Sequence, residues 1–123
     1  MENNHCSFEI QKGEEGLVVV LKGEIDHHGA VRVRCELDEL IVREHPHSVV
    51  FDLSGIEFMD SSGLGLMMGR YALLQKMGGT LRLKNPNERI SKIFELANLG
   101  RIITIDREEK DEKEAKEEKE KQA

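Results

Sequence analysis

The sequence predicts an α/β fold, a mixed sheet of about five strands with three or more helices packed on it in the order β-β-α-β-α-β-α-β. Short runs rich in branched apolar residues, at residues 17–21, 48–53 and 102–105, alternate with longer segments whose apolar residues recur at helical spacing. Glycine or proline stands at several of the junctions, as at Gly23, Pro46 and Gly78-Gly79. Strands separated by helices need crossover connections, and these favour parallel or mixed pairing.

Residues 7–11 read as the hairpin partner of residues 17–21, joined through a turn that contains Gly13 and Gly16. From His28 onward Val31, Leu37, Leu40 and Ile41 recur with Arg32, Arg34, Glu36 and Glu39 between them, an amphipathic helix that ends near His45-Pro46. Ser48-Val49-Val50-Phe51-Asp52-Leu53 is apolar enough to predict a central strand covered on both faces. Beyond Asp60-Ser61-Ser62, helical spacing runs through Leu64, Met67, Met68, Tyr71, Leu74 and Gln75 until Gly78-Gly79 interrupts it, and residues 80–83 form another short strand. Asn85-Pro86-Asn87-Glu88 carries a capping signature, with Asn85 as N-cap, Pro86 first and Glu88 third in a helix that bears Ile90, Ile93, Phe94 and Leu96. Asn98-Leu99-Gly100 closes that helix, and residues 102–105 supply the last strand.

At 123 residues the chain suits one compact domain, expected over residues 1–106. Residues 107–123 differ in kind. Their only apolar residues are Ala115 and Ala123, and Glu109 with Lys113, Glu112 with Lys116 and Glu117 with Lys121 are spaced for ion pairs worth about 0.2–0.5 kcal/mol each in an isolated helix. A solvated, partly helical Glu/Lys tail is expected. The net charge of −6 argues against direct nucleic-acid binding, which needs clustered positive charge. No window approaches the roughly 20 apolar residues of a membrane span, and residues 1–6 lack the basic flank and apolar run of a secretory leader. The expectation is a cytoplasmic protein without membrane contact, monomeric when free, with Cys6 and Cys35 as free thiols.

Two segments stand out for chemistry: Gly23-Glu24-Ile25-Asp26-His27-His28, and Phe58-Met59-Asp60-Ser61-Ser62-Gly63-Leu64-Gly65. Each follows a predicted strand, so a parallel sheet would place both at its carboxyl edge as neighbours. Asp60 or Ser61 can cap the following helix, since a short side-chain oxygen accepts a backbone N–H two or three residues on. One such residue suffices for a cap. Three in a row, with Gly63 and Gly65 behind them, also suit a surface approached by a partner's backbone, and a helix start tolerates a phosphate on an exposed hydroxyl. A plain cap and a switch surface are both compatible with this pattern. Gly65 and Gly69 are spaced to let their helix approach the sheet or a partner closely.

Other chemistries fit less well. Adjacent residues of Asp26-His27-His28 on an extended segment would diverge, His45 and His47 flank Pro46 in a loop, and no further His or Cys has ligand spacing, so neither a metal nor another cofactor is expected. Ser61, a histidine and Asp26 name the parts of a hydrolase triad, but a nucleophile elbow needs glycine two positions before its serine, where Ser61 has Met59 and Ser62 has Asp60. No GxxxxGK[ST] loop is present to cradle a nucleotide.

The two segments, with Gly69-Arg70-Tyr71, resemble the STAS domains over roughly residues 7–106, and the paired histidines after Gly-Glu-Ile-Asp are similar to the branch of sporulation anti-sigma-F factor antagonists. The resemblance implies a non-enzymatic regulator that binds an anti-sigma factor and so frees a sigma factor. It implies inactivation when that anti-sigma factor, a serine kinase, phosphorylates Ser61, and resetting by a serine phosphatase. Asp26, His27, Asp60, Ser61, Ser62, Gly63, Leu64 and Gly65 would form the partner-binding face. A STAS antagonist of a stress-response pathway is the alternative. The Met67-Met68 pair, where relatives carry aliphatic residues, and the long Glu/Lys tail depart from the family pattern.

Overall fold

The computed structural model describes residues 5–13 and 16–107, so the charged tail expected from residue 107 lies outside the described residues beyond that first position. Strand β1 (Ser7–Lys12) pairs antiparallel with β2 (Leu17–Ile25), and Phe8 lies opposite Leu21. Helix α1 (His27–Glu44) leads to β3 (Ser48–Met59), helix α2 (Ser61–Lys76) to β4 (Thr80–Lys84), and helix α3 (Glu88–Leu96) with a short 3-10 turn (Leu99–Arg101) to β5 (Thr104–Asp106). The sheet order is β1-β2-β3-β4-β5, with β2 to β5 mutually parallel and β3 at the centre. This is the expected mixed sheet of five strands with three helices.

Only one face of the sheet is fully covered. In β3, Val49, Phe51 and Leu53 are buried while Ser48, Val50 and Asp52 are half-buried, and β2 alternates in the same way. The expectation of a strand covered on both faces is therefore corrected. The physical reason is topological: right-handed crossovers stepping steadily along β2, β3, β4 and β5 place every helix on the same side. A single core results, in which Val19, Leu21, Phe51 and Leu83 meet Val33, Leu37 and Ile41 of α1, Leu66, Met67 and Leu74 of α2, and Ile90 and Phe94 of α3.

The same alternation explains why β2 and β3 run past their apolar cores. Lys22, Glu24, Ser54 and Glu57 turn to solvent while Ile25, Ile56 and Met59 stay buried, so both strands continue to residues read from the sequence as following them. Strand β5 is shorter than residues 102–105 suggest, because Ile102 and Ile103 belong to the turn that leads into it and Ile102 is 45% exposed.

The start of α3 differs by two residues from the sequence reading. Asn87, not Asn85, is the N-cap: its Oδ1 accepts the Ile90 N–H at 2.8 Å, and its Nδ2 donates to the Ile56 carbonyl at 3.2 Å. Asn85 instead takes a left-handed conformation, φ 58°, which asparagine tolerates better than most residues, with its N–H bonded to the Asp106 carbonyl. Both asparagines satisfy a sequence rule for a cap, and the bond from Asn87 to β3 is a long-range contact that no local rule supplies. Asn87→Ala should lower the unfolding free energy by about 1–2 kcal/mol in a urea titration, whereas Glu88→Ala, no longer at a capping-box position, should change it by less than about 0.5 kcal/mol.

Candidate functional site

Parallel pairing brings the ends of β2 and β3 level. Ile25 lies opposite Met59, so the next residue of each strand, Asp26 and Asp60, opens a helix beside the other. Both aspartates are N-caps in the same extended conformation, with φ/ψ of −104°/−177° and −100°/−171°. Asp26 Oδ1 accepts the Gly29 N–H at 2.8 Å, and Asp60 Oδ1 accepts the Ser62 N–H at 2.8 Å. The two turns are joined directly, because the Asp60 N–H donates to the Ile25 carbonyl at 3.1 Å. The predicted adjacency of the two segments is thus a property of the fold.

Helical geometry then sorts the cluster. Ser61, the first residue of α2, is exposed; Ser62 and Leu64 are half-buried; Gly63 is buried; and Gly65 is exposed. A Cβ at Gly63 would overlap Met59, so glycine there lets α2 start directly above the end of β3. A Cβ at Gly65 or Gly69 would meet nothing within 4 Å, which corrects the idea that these two glycines bring the helix against the sheet. They leave the outer flank of α2 bare. Met67 is fully buried, but Met68, 46% exposed, stands outside the core on that helix.

Between the helix starts runs a groove of about 220 Å³ lined by His27, Ala30, Val31 and Arg34 of α1 and by Ser62, Gly65 and Leu66 of α2. His27 and His28 belong to the first turn of α1 rather than to an extended segment, and their rings meet edge to face at 5.8 Å. No group of His, Cys, Asp or Glu able to hold a metal occurs among the described residues. The Gly29 N–H bond holds the Asp26 carboxyl below its usual range against the opposing effect of desolvation, and the nearby His28 lowers it further. Cys6 is buried and Cys35 exposed, with no disulfide; burial pushes the Cys6 thiol up.

Two residues of the groove, Val31 and Arg34, were not singled out by sequence reasoning as site residues, and Arg70 entered it only within the Gly69-Arg70-Tyr71 segment of the resemblance, with no role given. Val31 and Arg34 line the groove because they follow His27 on the α1 face turned toward α2. Arg70, 6% exposed, is the buried charged residue among those described, and its Nε lies 2.7 Å from Asp38 Oδ1 of α1. The contact is ionic without hydrogen-bond alignment, since Arg70 Nε and Nη1 and Asp38 Oδ1 are buried with no hydrogen-bond partner. Burial pushes the Arg70 guanidinium down from its ordinary value, Asp38 opposes this, and Arg34 reinforces it. The available signal was periodicity: Arg70 falls on the stripe of Gly63, Leu66, Met67 and Leu74.

The sequence profile of the STAS domain matches residues 7–112. The chain belongs to the STAS domain family. This STAS domain is 38% identical over 101 residues to the anti-sigma F factor antagonist of Paenibacillus polymyxa, covering 82% of the chain and 86% of that relative. It is 32% identical to the anti-sigma-B factor antagonist of Bacillus subtilis, with 82% and 91% covered. Among solved structures, the anti-sigma factor antagonist SpoIIAA in its unphosphorylated form superposes with a TM-score of 0.72 at 28% identity over 89% of this STAS domain and 96% of SpoIIAA. The phosphorylated form of the Bacillus SpoIIAA gives 0.65 at 29% identity, over 89% and 99%.

The glycines of α2 should respond oppositely to alanine. Gly63→Ala should cost about 1–2 kcal/mol, because the crowding at Met59 outweighs the gain in helix propensity, while Gly65→Ala should stabilise the free protein by up to about 1 kcal/mol in thermal or urea unfolding. The Asp26 cap also sets a pH dependence. Its folded pKa is depressed, so its stabilising contribution is complete above the unfolded value of about 3.9 and is lost as pH falls through the lower folded value. A carbon-13 titration of the Asp26 carboxyl should show a midpoint below 3.9, and Asp26→Asn should flatten this part of the acid-side stability profile.

Proposed function

We propose that this STAS domain is an anti-sigma factor antagonist that, when unphosphorylated, binds an anti-sigma factor and so releases a sigma factor. The observation that carries the reading is the exposed Ser61 at the first position of a helix capped by Asp60, beside a second helix start capped by Asp26. The similarity to relatives named anti-sigma F and anti-sigma-B factor antagonists supports it, as does the likeness to SpoIIAA, solved in both unphosphorylated and phosphorylated forms.

The chemistry of the site gives the switch its direction. A helix start supplies unpaired backbone N–H groups and the positive end of the helix dipole, so a phosphate on Ser61 costs the fold little. The same phosphate adds about −1.5 to −2 charge to a surface that already carries the ionised Asp26. A partner seated against His27, Asp60, Ser62, Gly63, Leu64 and the bare flank at Gly65 is repelled, and the domain remains folded. The anti-sigma factor acts as the serine kinase and a separate serine phosphatase restores the free hydroxyl. The domain is a substrate of both enzymes and catalyses nothing itself. It works in the cytoplasm as a monomer, through a domain that ends near residue 106.

The similarity to an anti-sigma-B factor antagonist favours a second reading, in which the same switch serves a stress-response pathway. Incubation of the purified protein with its cognate anti-sigma factor and ATP should place one phosphate on Ser61, and Ser61→Ala should take up none. Ser61→Asp should weaken the complex by at least about tenfold, about 1.4 kcal/mol, in a titration calorimeter. Gly65→Ala, stabilising in the free protein, should weaken it as well. Undiminished binding by Ser61→Asp, or phosphate on another residue, would overturn the proposal. Release of the sporulation or the stress sigma factor in a reconstituted mixture separates the two pathways.

A further inference from the structure

We propose that Arg70, through Asp38, is the positioning residue of the switch surface, holding α2 at the offset from α1 that presents Ser61, Ser62 and Gly65 beside His27. This inference rests on the function proposed above and adds to it the device that keeps the docking face in place.

The ion pair is hard to explain by stability. Removing a guanidinium from water costs several kcal/mol, and buried pairs are often matched or bettered by apolar residues of similar volume. Arg70 occupies a stripe that is otherwise apolar or glycine, and part of its hydrogen-bonding capacity is left unused. What the pair supplies that a leucine cannot is position. Aliphatic surfaces such as Ala30, Leu37 and Leu66 can slide past one another with little change in buried area, whereas the attraction of a charge pair at 2.7 Å falls as either helix moves the two groups apart.

Helix α2 needs such a constraint more than its neighbours. Gly63, Gly65 and Gly69 lie between the Asp60 cap and Arg70, each lowering helix propensity relative to alanine, and nothing within 4 Å would meet a Cβ at Gly65 or Gly69. The segment is therefore held at two points. One is the Asp60 cap with its N–H on the Ile25 carbonyl, and the other is the Arg70–Asp38 pair, ten residues or about 15 Å further along the helix. Arg34 lies one turn before Asp38 on α1 and lines the groove with Ser62 and Gly65, so the charged seam is continuous with the docking face.

The test uses Arg70→Met, which keeps an unbranched apolar stem but removes the guanidinium, with Asp38→Asn as a second variant because the half-exposed Asp38 tolerates loss of charge without leaving the fold. In the free proteins, amide NMR shifts and hydrogen exchange should change at residues 27–30 and 61–65 as well as around the substitution. With the cognate anti-sigma kinase and ATP, the KM for Ser61 phosphorylation should rise by about tenfold with kcat within about twofold, and Arg70→Lys should recover part of the loss. A general loss of stability would not produce this split in a variant that melts above the assay temperature. If Arg70→Met does not fold, Asp38→Asn carries the same expectations. Folded variants whose amide changes stay around residue 70 and whose KM matches wild type would overturn the proposal. Failure of the wild-type protein to be phosphorylated on Ser61 would instead sink the functional reading, and the amide measurements on the free proteins would still decide the positioning role.

Discussion

The level pairing of β2 with β3 is the constraint on which the rest of the site depends. Two parallel strands ending at Ile25 and Met59 leave their chains side by side at one edge of the sheet, about 4.8 Å apart. Each chain must then turn into a helix within one residue, and an aspartate does this in both cases by bonding a backbone N–H of the first turn. Without the matched register the two helix starts would be separate features, and the groove between them would not form.

Around that constraint, the glycines of α2 divide into two kinds that look the same in a sequence. Gly63 is demanded by the core, since any side chain would enter the space of Met59. Gly65 and Gly69 are not demanded by the core at all, and their effect is to strip one flank of the helix next to the exposed Ser61. A helix thinned in this way loses intrinsic stability and must be held by tertiary contacts. The Asp60 cap and the Arg70–Asp38 pair are such contacts, one at each end of the thinned segment.

The agreement between sequence and structure is best where a local rule has one solution. Pro46 near the end of α1, the break at Gly78-Gly79 and the acidic cap of α2 were all legible, because chain stiffness and side-chain reach act over a few residues. It fails where two neighbours satisfy the same rule, as at Asn85 and Asn87, and the choice is made by the Ile56 carbonyl some thirty residues away. The candidate face was legible in part: the serines, Asp26 and His27 stood out by their chemistry. Val31 and Arg34 did not, because an exposed residue of an amphipathic helix carries no mark of what lies opposite it.

By itself the sequence determined the order of elements, the α/β class and the cluster of hydroxyls and carboxylate at the start of α2, since all of these follow from periodicity and short-range bonding. The tertiary structure alone decided that the sheet is covered on one face, that Gly65 and Gly69 open outward, that Met68 is exposed and that Arg70 is buried against Asp38. The reason is that periodicity tells which residues share a face but not what that face meets. The opposing surface is set by crossover handedness and strand register, which join residues distant in the chain.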